Sequence, residues 1–297
     1  TLSSSSAASD VYKRQGAVSL QGNVAANTLT TFAQAYDVSL TGAVNSITTD
    51  TTFLNTGAIT VGDESTDSST FAGGLDTTAG VTENFAGTVA ATDNQIDIGV
   101  ASVTADATID GGTGAINTAA MTVADASTLT VGTGAVGAPT IASVTGANGG
   151  GAASNLTLNS TGVASVGAVG TNIGTVTVTQ SGGTTFSSTV DAVAVTLTDT
   201  TGTIQFDGAL TATDLNTAAK GYGVSLLGGS TISNAVTFSN TGTTQIGDAT
   251  GDTNTFNGGV TATAGAVTAS GSVVTSEDNL ALGCLLYTSP SPRDVEE

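Results

Sequence analysis

Between Gly16 and Gly283 the chain has no histidine, no cysteine, no tryptophan and no arginine. Without His or Cys there is no Ser–His or Cys–His nucleophile pair and no imidazole or thiolate metal site. Lys220 is the one cation of this stretch, which removes proton abstraction assisted by Arg or Lys and leaves nothing to grip nucleic acid or an anionic membrane surface. No window approaches the ~20 apolar residues that a membrane-spanning helix needs. The whole chain carries 24 acidic against 4 basic residues, a net charge of −20, which suits a soluble, salt-tolerant, extracellular object.

The one Cys (Cys284), two of the three Pro (Pro290, Pro292) and three of the four cations (Lys13, Arg14, Arg293) lie in terminal stretches unlike the rest. Ser5–Gln15 and Cys284–Asp294 resemble translated sequencing-library adapters of the transposase type. Asp10–Gln15 can be encoded by a word whose reverse complement, read one base along, spells Cys284–Ser289. Residues 1–15 and 284–297 are therefore expected to be adapter-derived, disordered tails and are set apart from fold reasoning. Four carboxylates go with them (Asp10, Asp294, Glu296, Glu297), leaving 20 against Lys220. A reading frame cut in this way predicts a fragment whose terminal edges are unpaired and prone to edge-to-edge self-association.

What is present is repetition. Thr52–Gly80 and Thr237–Gly265 match without a gap, sharing Thr-Phe-x-Asn-Thr-Gly, Gly-Asp, Thr-Phe-x-Gly-Gly and Thr-Ala-Gly. The match extends to a block, 16–99, repeated as 202–283 at an offset of about 185 residues. Inside it lies a shorter period: Leu156-Thr-Leu158, Val176-Thr-Val178 and Val195-Thr-Leu197 each lead to a glycine, at Gly162, Gly182 and Gly202, spaced by 20. Alternation of apolar and hydroxyl residues is the period of two of a strand with one buried face. A unit of ~20 residues cannot bury that face alone and must stack on its neighbours. The fold expected is all-β, a parallel β-helix (β-solenoid) with rungs of about 20 residues over 16–283, roughly 13 units and ~60 Å long. The alternative is a series of tandem β-sandwich repeats, which the absence of Trp and the spacing disfavour. Residues 100–155, with Gly146–Gly151 and Pro139, read as the least regular part, a loop or a weakly formed rung.

Motifs such as Ile246-Gly-Asp248, Asp252-Thr-Asn-Thr-Phe256-Asn-Gly-Gly259 and Thr261-Ala-Thr-Ala-Gly265 resemble repeats of very large secreted bacterial surface proteins, the filamentous-haemagglutinin-like exoproteins and autotransporter passenger domains. The resemblance implies a parallel β-helix, export across the outer membrane and a role as adhesin or stalk at the bacterial cell surface, with a glycan or protein partner. The expected function is thus a structural and adhesive rod that presents loops, with no catalytic residues and no cofactor. The alternative is a carbohydrate-active enzyme on the same fold, for which Asp63 with Asp67, or Asp248 with Asp252, would supply the two carboxylates.

Those four aspartates are also the candidate metal residues. Gly62-Asp63-Glu64-x-x-Asp67 and Gly247-Asp248-x-x-Gly251-Asp252 place oxygen ligands in turns, as calcium requires. Read as turn formers, the same side chains instead bond nearby backbone. A third feature is a threonine column, Thr157, Thr177, Thr196 and Thr237, expected to point outward as a polar ladder similar to those of ice-binding solenoids. Tyr36 and Tyr222 hold equivalent places and are expected to pack against or cover a rung edge, while Phe53, Phe71, Phe238 and Phe256 are expected to fill the interior.

Overall fold

A computed structural model describes residues 16–135, 137–147 and 151–283; the two expected tails lie outside them. The described residues form thirty strands and no helix, and every pairing between strands is parallel. In chain order the strands visit three faces in turn. The first face begins with Ala17–Leu20, Asp37–Leu40 and Ala58–Val61, the second with Val24–Ala26, Val44–Ile47 and Ser68–Phe71, and the third with Thr51–Thr52, Leu75–Asp76 and Ile96–Ile98. Twelve successive registers on the first face connect Val18 to Val273, which makes thirteen turns of a β-solenoid. On this face the step between stacked residues ranges from 18 (Glu83 to Ala101) to 25 (Val144 to Val169), so the length of a turn is set by its corners.

The alternation in the sequence becomes inside and outside. On Asp37–Leu40 the side chains of Val38 and Leu40 are buried while Asp37 and Ser39 face out, and the same parity recurs in Thr128–Val131 and Thr203–Phe206. Stacking sets like on like. Phe186 and Phe206 lie one above the other with centroids 4.8 Å apart and planes within 6°, the spacing of the strands that carry them. Corners are made where only glycine fits. Gly62 has φ +73° and a Cβ there would meet the Ala86 carbonyl oxygen; its copy Gly247 has φ +74° and faces the Ser270 carbonyl in the same way.

The two copies of the block do not occupy equivalent places around the axis. Val38 lies on the first face of the second turn; eight registers later that face reaches Leu210, and two faces further the chain arrives at Val224, the copy of Val38, on the third face. The copies are thus eight and two-thirds turns apart. Ser68–Phe71 on the second face reappears as Thr253–Phe256 on the first. Contacts between adjacent faces survive this rotation: Phe53 meets Phe71 edge-on at 6.3 Å, and Phe238 meets Phe256 edge-on at 6.3 Å. The three faces are interchangeable hosts for one sequence.

A buried polar pair makes the same point. Asn45 lies directly beneath Ser69 in the core and donates from Nδ2 to its Oγ (3.0 Å). In the second copy the partners are exchanged, with Ser230 beneath Asn254 and its Oγ donating to Oδ1 (2.7 Å). Parallel strands with one apolar face resist slippage only by parity, and a buried hydrogen bond between neighbouring rungs specifies one register among those that parity permits.

The stretch expected to be least regular is well formed: Ala101–Asp110, Ile116–Val123, Thr128–Val131 and Pro139–Gly146 are strands, and residues 148–150 lie outside the described residues. Pro139 is accommodated because it opens its strand, opposite Ile116.

Exchanging the pair tests it. Asn45→Ser alone, or Ser69→Asn alone, should each destabilise the protein by about 1–2 kcal/mol, through an underfilled or an overpacked core site with a polar atom unmet. The double variant N45S/S69N should recover more than half of the summed loss in urea unfolding. Simple additivity would show that the two side chains do not act as a pair.

Candidate functional site

The four candidate aspartates lie in two turns at different corners. Asp63 and Asp67 lie between Ala58–Val61 of the first face and Ser68–Phe71 of the second, whereas Asp248 and Asp252 lie between Thr244–Ile246 of the third and Thr253–Phe256 of the first. Each turn is closed from within. Asp67 Oδ2 accepts the backbone N–H of Asp63 (2.9 Å) and of Glu64 (3.0 Å), and Asp252 Oδ2 accepts those of Asp248 and Ala249 (both 2.8 Å). Two N–H dipoles on one oxygen supply the positive charge that a cation would otherwise bring. They hold Asp67 below the usual carboxylate range, the Asp63 N–H contributing most, and hold Asp252 low through the N–H groups of Ala249 and Asp248. Asp63 is raised by desolvation and by its bond to and repulsion from Asp67, so Asp63 takes up a proton first. Among the described residues no group of three or more carboxylates converges on one point.

Other carboxylates are met in the same manner, by donors that carry no charge. Asp97 stacks directly on Asp76 along the third face, yet it accepts from Gln95 Nε2 (2.7 and 2.9 Å) and from Asn117 Nδ2 (2.8 Å), while Asp76 accepts the N–H and hydroxyl of Thr78. Lys220 lies 3.6 Å from Asp199 with both side chains exposed.

The threonine column is longer than its four expected members. On the second face the residues stacked at one outward position are Ser68, Thr88, Thr108, Thr130, Thr157, Thr177, Thr196, Asn216, Thr237 and Thr261. Nine of these ten carry a hydroxyl and none is charged. The column spans about 43 Å at ~4.8 Å per rung. Uneven turn lengths hide it in the sequence, where its members are spaced from 19 (Thr177 to Thr196) to 27 (Thr130 to Thr157).

Tyr36 and Tyr222 are equivalent and both brace the loop before them, accepting from the N–H four residues earlier: Phe32 to Tyr36 (2.8 Å) and Ala218 to Tyr222 (2.9 Å). Tyr222 is fully buried and also donates to the Leu197 carbonyl (2.9 Å), so it is a core residue as well as a brace. The repeated asparagines serve the next corner. Asn55 and Asn240 are both buried and donate from Nδ2 to the carbonyls of Tyr36 (3.1 Å) and Tyr222 (3.2 Å). Phe53, Phe71, Phe238 and Phe256 are fully buried, as expected, and Phe85, Phe186 and Phe206 join them in the core.

Glu83 was not singled out from the sequence. It points inward from the first face, with no exposed surface, stacked between Ile59 and Ala101. Its Oε2 accepts the Thr77 hydroxyl (2.5 Å) and the Gly99 N–H (3.2 Å), and its Oε1 has no partner. Desolvation raises its pKa to about 7, against the pull of those two donors. The available signal was parity: in Thr82-Glu83-Asn84-Phe85 the residue two before an inward Phe is itself inward.

The class of molecule is therefore a parallel β-solenoid whose outward polar groups are hydroxyls, amides and carboxylates, with single apolar side chains such as Phe32 and Val163 exposed among them. Compared with family models, with curated proteins and with solved structures, the chain matches none. Among the described residues no helix is long and apolar enough to cross a membrane.

Replacing Asp67 by Ala should cost about 1 kcal/mol by freeing two N–H groups, and Asp67→Asn, which keeps an acceptor, should cost less. Because its folded pKa is lowered, the contribution of Asp67 is present above pH ~4 and is lost as pH falls through that lowered value. Acid melts of wild type and Asp67→Ala should converge below it.

Proposed function

We propose that the chain is a structural and adhesive rod of a secreted bacterial surface protein, without catalytic activity, holding a distance and presenting its corners to a glycan or protein partner. The observation that carries this is continuity: every described strand belongs to one parallel stack of thirteen turns with one unbroken apolar core. Such an array is stiff along its axis and presents many weak contacts in series. Its acidic corners keep the rod soluble, and cell-surface placement fits a surface with almost no cations.

The hydroxyl column of the second face favours a second reading, contact with an ordered hydroxylated surface such as crystalline polysaccharide or ice. An uncharged file of ten stacked positions, nine of them hydroxyls, in a protein of net charge −20 is the specific support for it. Calcium at the Asp63–Asp67 and Asp248–Asp252 turns is a further proposal, answered by whether millimolar calcium raises the melting temperature and chelator reverses the rise.

Deleting residues 190–209 removes one register step, Val190 to Leu210, and should shorten the rod by about one rung, ~4.8 Å, while it stays folded. A spin-label distance along the axis reads this directly; unfolding of the variant would contradict a modular rod. Adhesion is read by capture of the protein on glycan-coated and protein-coated beads. Loss of capture in T130K/T157K, with adhesion to protein beads unchanged, would assign it to the hydroxyl face. Retained capture would return it to the corners.

A further inference from the structure

We propose that Glu83 and Thr77 form a proton-operated latch that holds closed the corner from the third face to the first at turns three and four, and that loss of the Glu83 proton releases residues 77–83. The latch joins three segments from inside. Thr77 ends the third face of one turn, Glu83 lies on the first face of the next, and Gly99, which donates its N–H, ends the third face of that turn. Between the two latch residues the chain makes a bare excursion, Thr78 to Thr82, whose Val81 side chain is 71% exposed. The corner is inside out, with a carboxyl in the core and a valine in solvent.

Packing alone does not require this. In the second copy of the block the register places Val267 where Glu83 sits, above Thr244 as Glu83 is above Ile59, and Ala262 where Thr77 sits. The acid and its hydroxyl partner are present together in one copy and absent together from the other. Room for the acid is also specific: a Cβ on residue 99 would come within 2.3 Å of Glu83 Oε1, so glycine at that position accommodates the oxygen that has no partner.

The protonated state has a continuous hydrogen-bond chain through Oε2 and leaves only the uncharged Oε1 without a partner. With its proton on Oε2, Glu83 donates to Thr77 Oγ, and the Thr77 hydroxyl turns to the Asp97 carbonyl oxygen 3.3 Å away. When the proton leaves, the hydroxyl must turn back to Oε2 and the charge is left in the core with one oxygen bare. The titratable group that bears on it is Asp76, beside Thr77, which also disfavours the charge. The segments packed against it, 57–61, 77–80 and 99–103, contain no ionisable side chain, and Asp97 is committed outward to Gln95 and Asn117. The sign follows from a folded pKa of about 7 against an ordinary value of 4.5: the contribution of Glu83 is fully present below the ordinary value and is lost as pH rises through the folded one.

Native-state hydrogen exchange at pH 5 and pH 8, corrected for intrinsic rates, tests the latch on the full chain. Amides in 77–83 and 99–103 should lose protection by on the order of 50-fold between the two conditions, and those around 262–269 in the second copy should not. In Glu83→Gln, and in the transplant T77A/E83V that installs the residues of the second copy, the local protection should not vary with pH. Equal protection of the wild-type corner at both values, or the same loss in Glu83→Gln, would overturn the proposal.

Discussion

In-register parallel stacking governs everything else here. Each residue sits one strand spacing above a counterpart on the same face, so any property repeated along the chain is concentrated into a line along the axis. For Phe186 and Phe206 that produces a stacked ring pair, and for the second face a file of hydroxyls. For carboxylates the same rule is adverse, since like charges directly stacked repel. Between Gly16 and Gly283 one lysine stands against twenty acids, and the answer is geometric. Most acids stand at corners, where loops supply backbone N–H groups, and the stacked pair Asp76 and Asp97 is surrounded by amide and hydroxyl donors. Corner aspartates such as Asp67 and Asp252 thereby face backbone N–H groups in a stretch where cations are scarce.

Much of the fold was legible because it follows from short-range pattern. Alternation such as Val176-Thr-Val178 determines which side chains are buried, and a unit too small to close its own core must stack. The placement of the two copies was not legible. Their gapless match suggests equivalent positions around the axis, but steps between stacked residues that vary from 18 to 27 make the offset eight and two-thirds turns, and only pairing shows this. The same variation reduced a column of ten to four visible members. Residues 100–155 looked irregular because their corners are glycine-rich, although their strands are among the longer ones.

At the sites the division is similar. Asp63, Asp67, Asp248 and Asp252 were identifiable as a repeated pair, and what they bond was set by turn geometry that spacing does not show. Glu83 was passed over because a lone glutamate among polar neighbours reads as surface. Only parity with Phe85 and the presence of Val267 at the matching place mark it as a core residue of a different kind.

The fractional offset between the copies bears on how such a chain meets its surroundings. Each further copy added at the same offset would advance by eight turns and two faces, and the original orientation would return only after three copies, twenty-six turns or about 125 Å on. A feature borne once per copy would wind around the rod as a coarse threefold screw. Whereas the hydroxyl file keeps to the second face, features of that kind would have no front and no back: whichever way the rod rolled against a flat substrate, one copy in three would point downward. Contact through such features would then depend on how much rod is laid down and not on how it is turned.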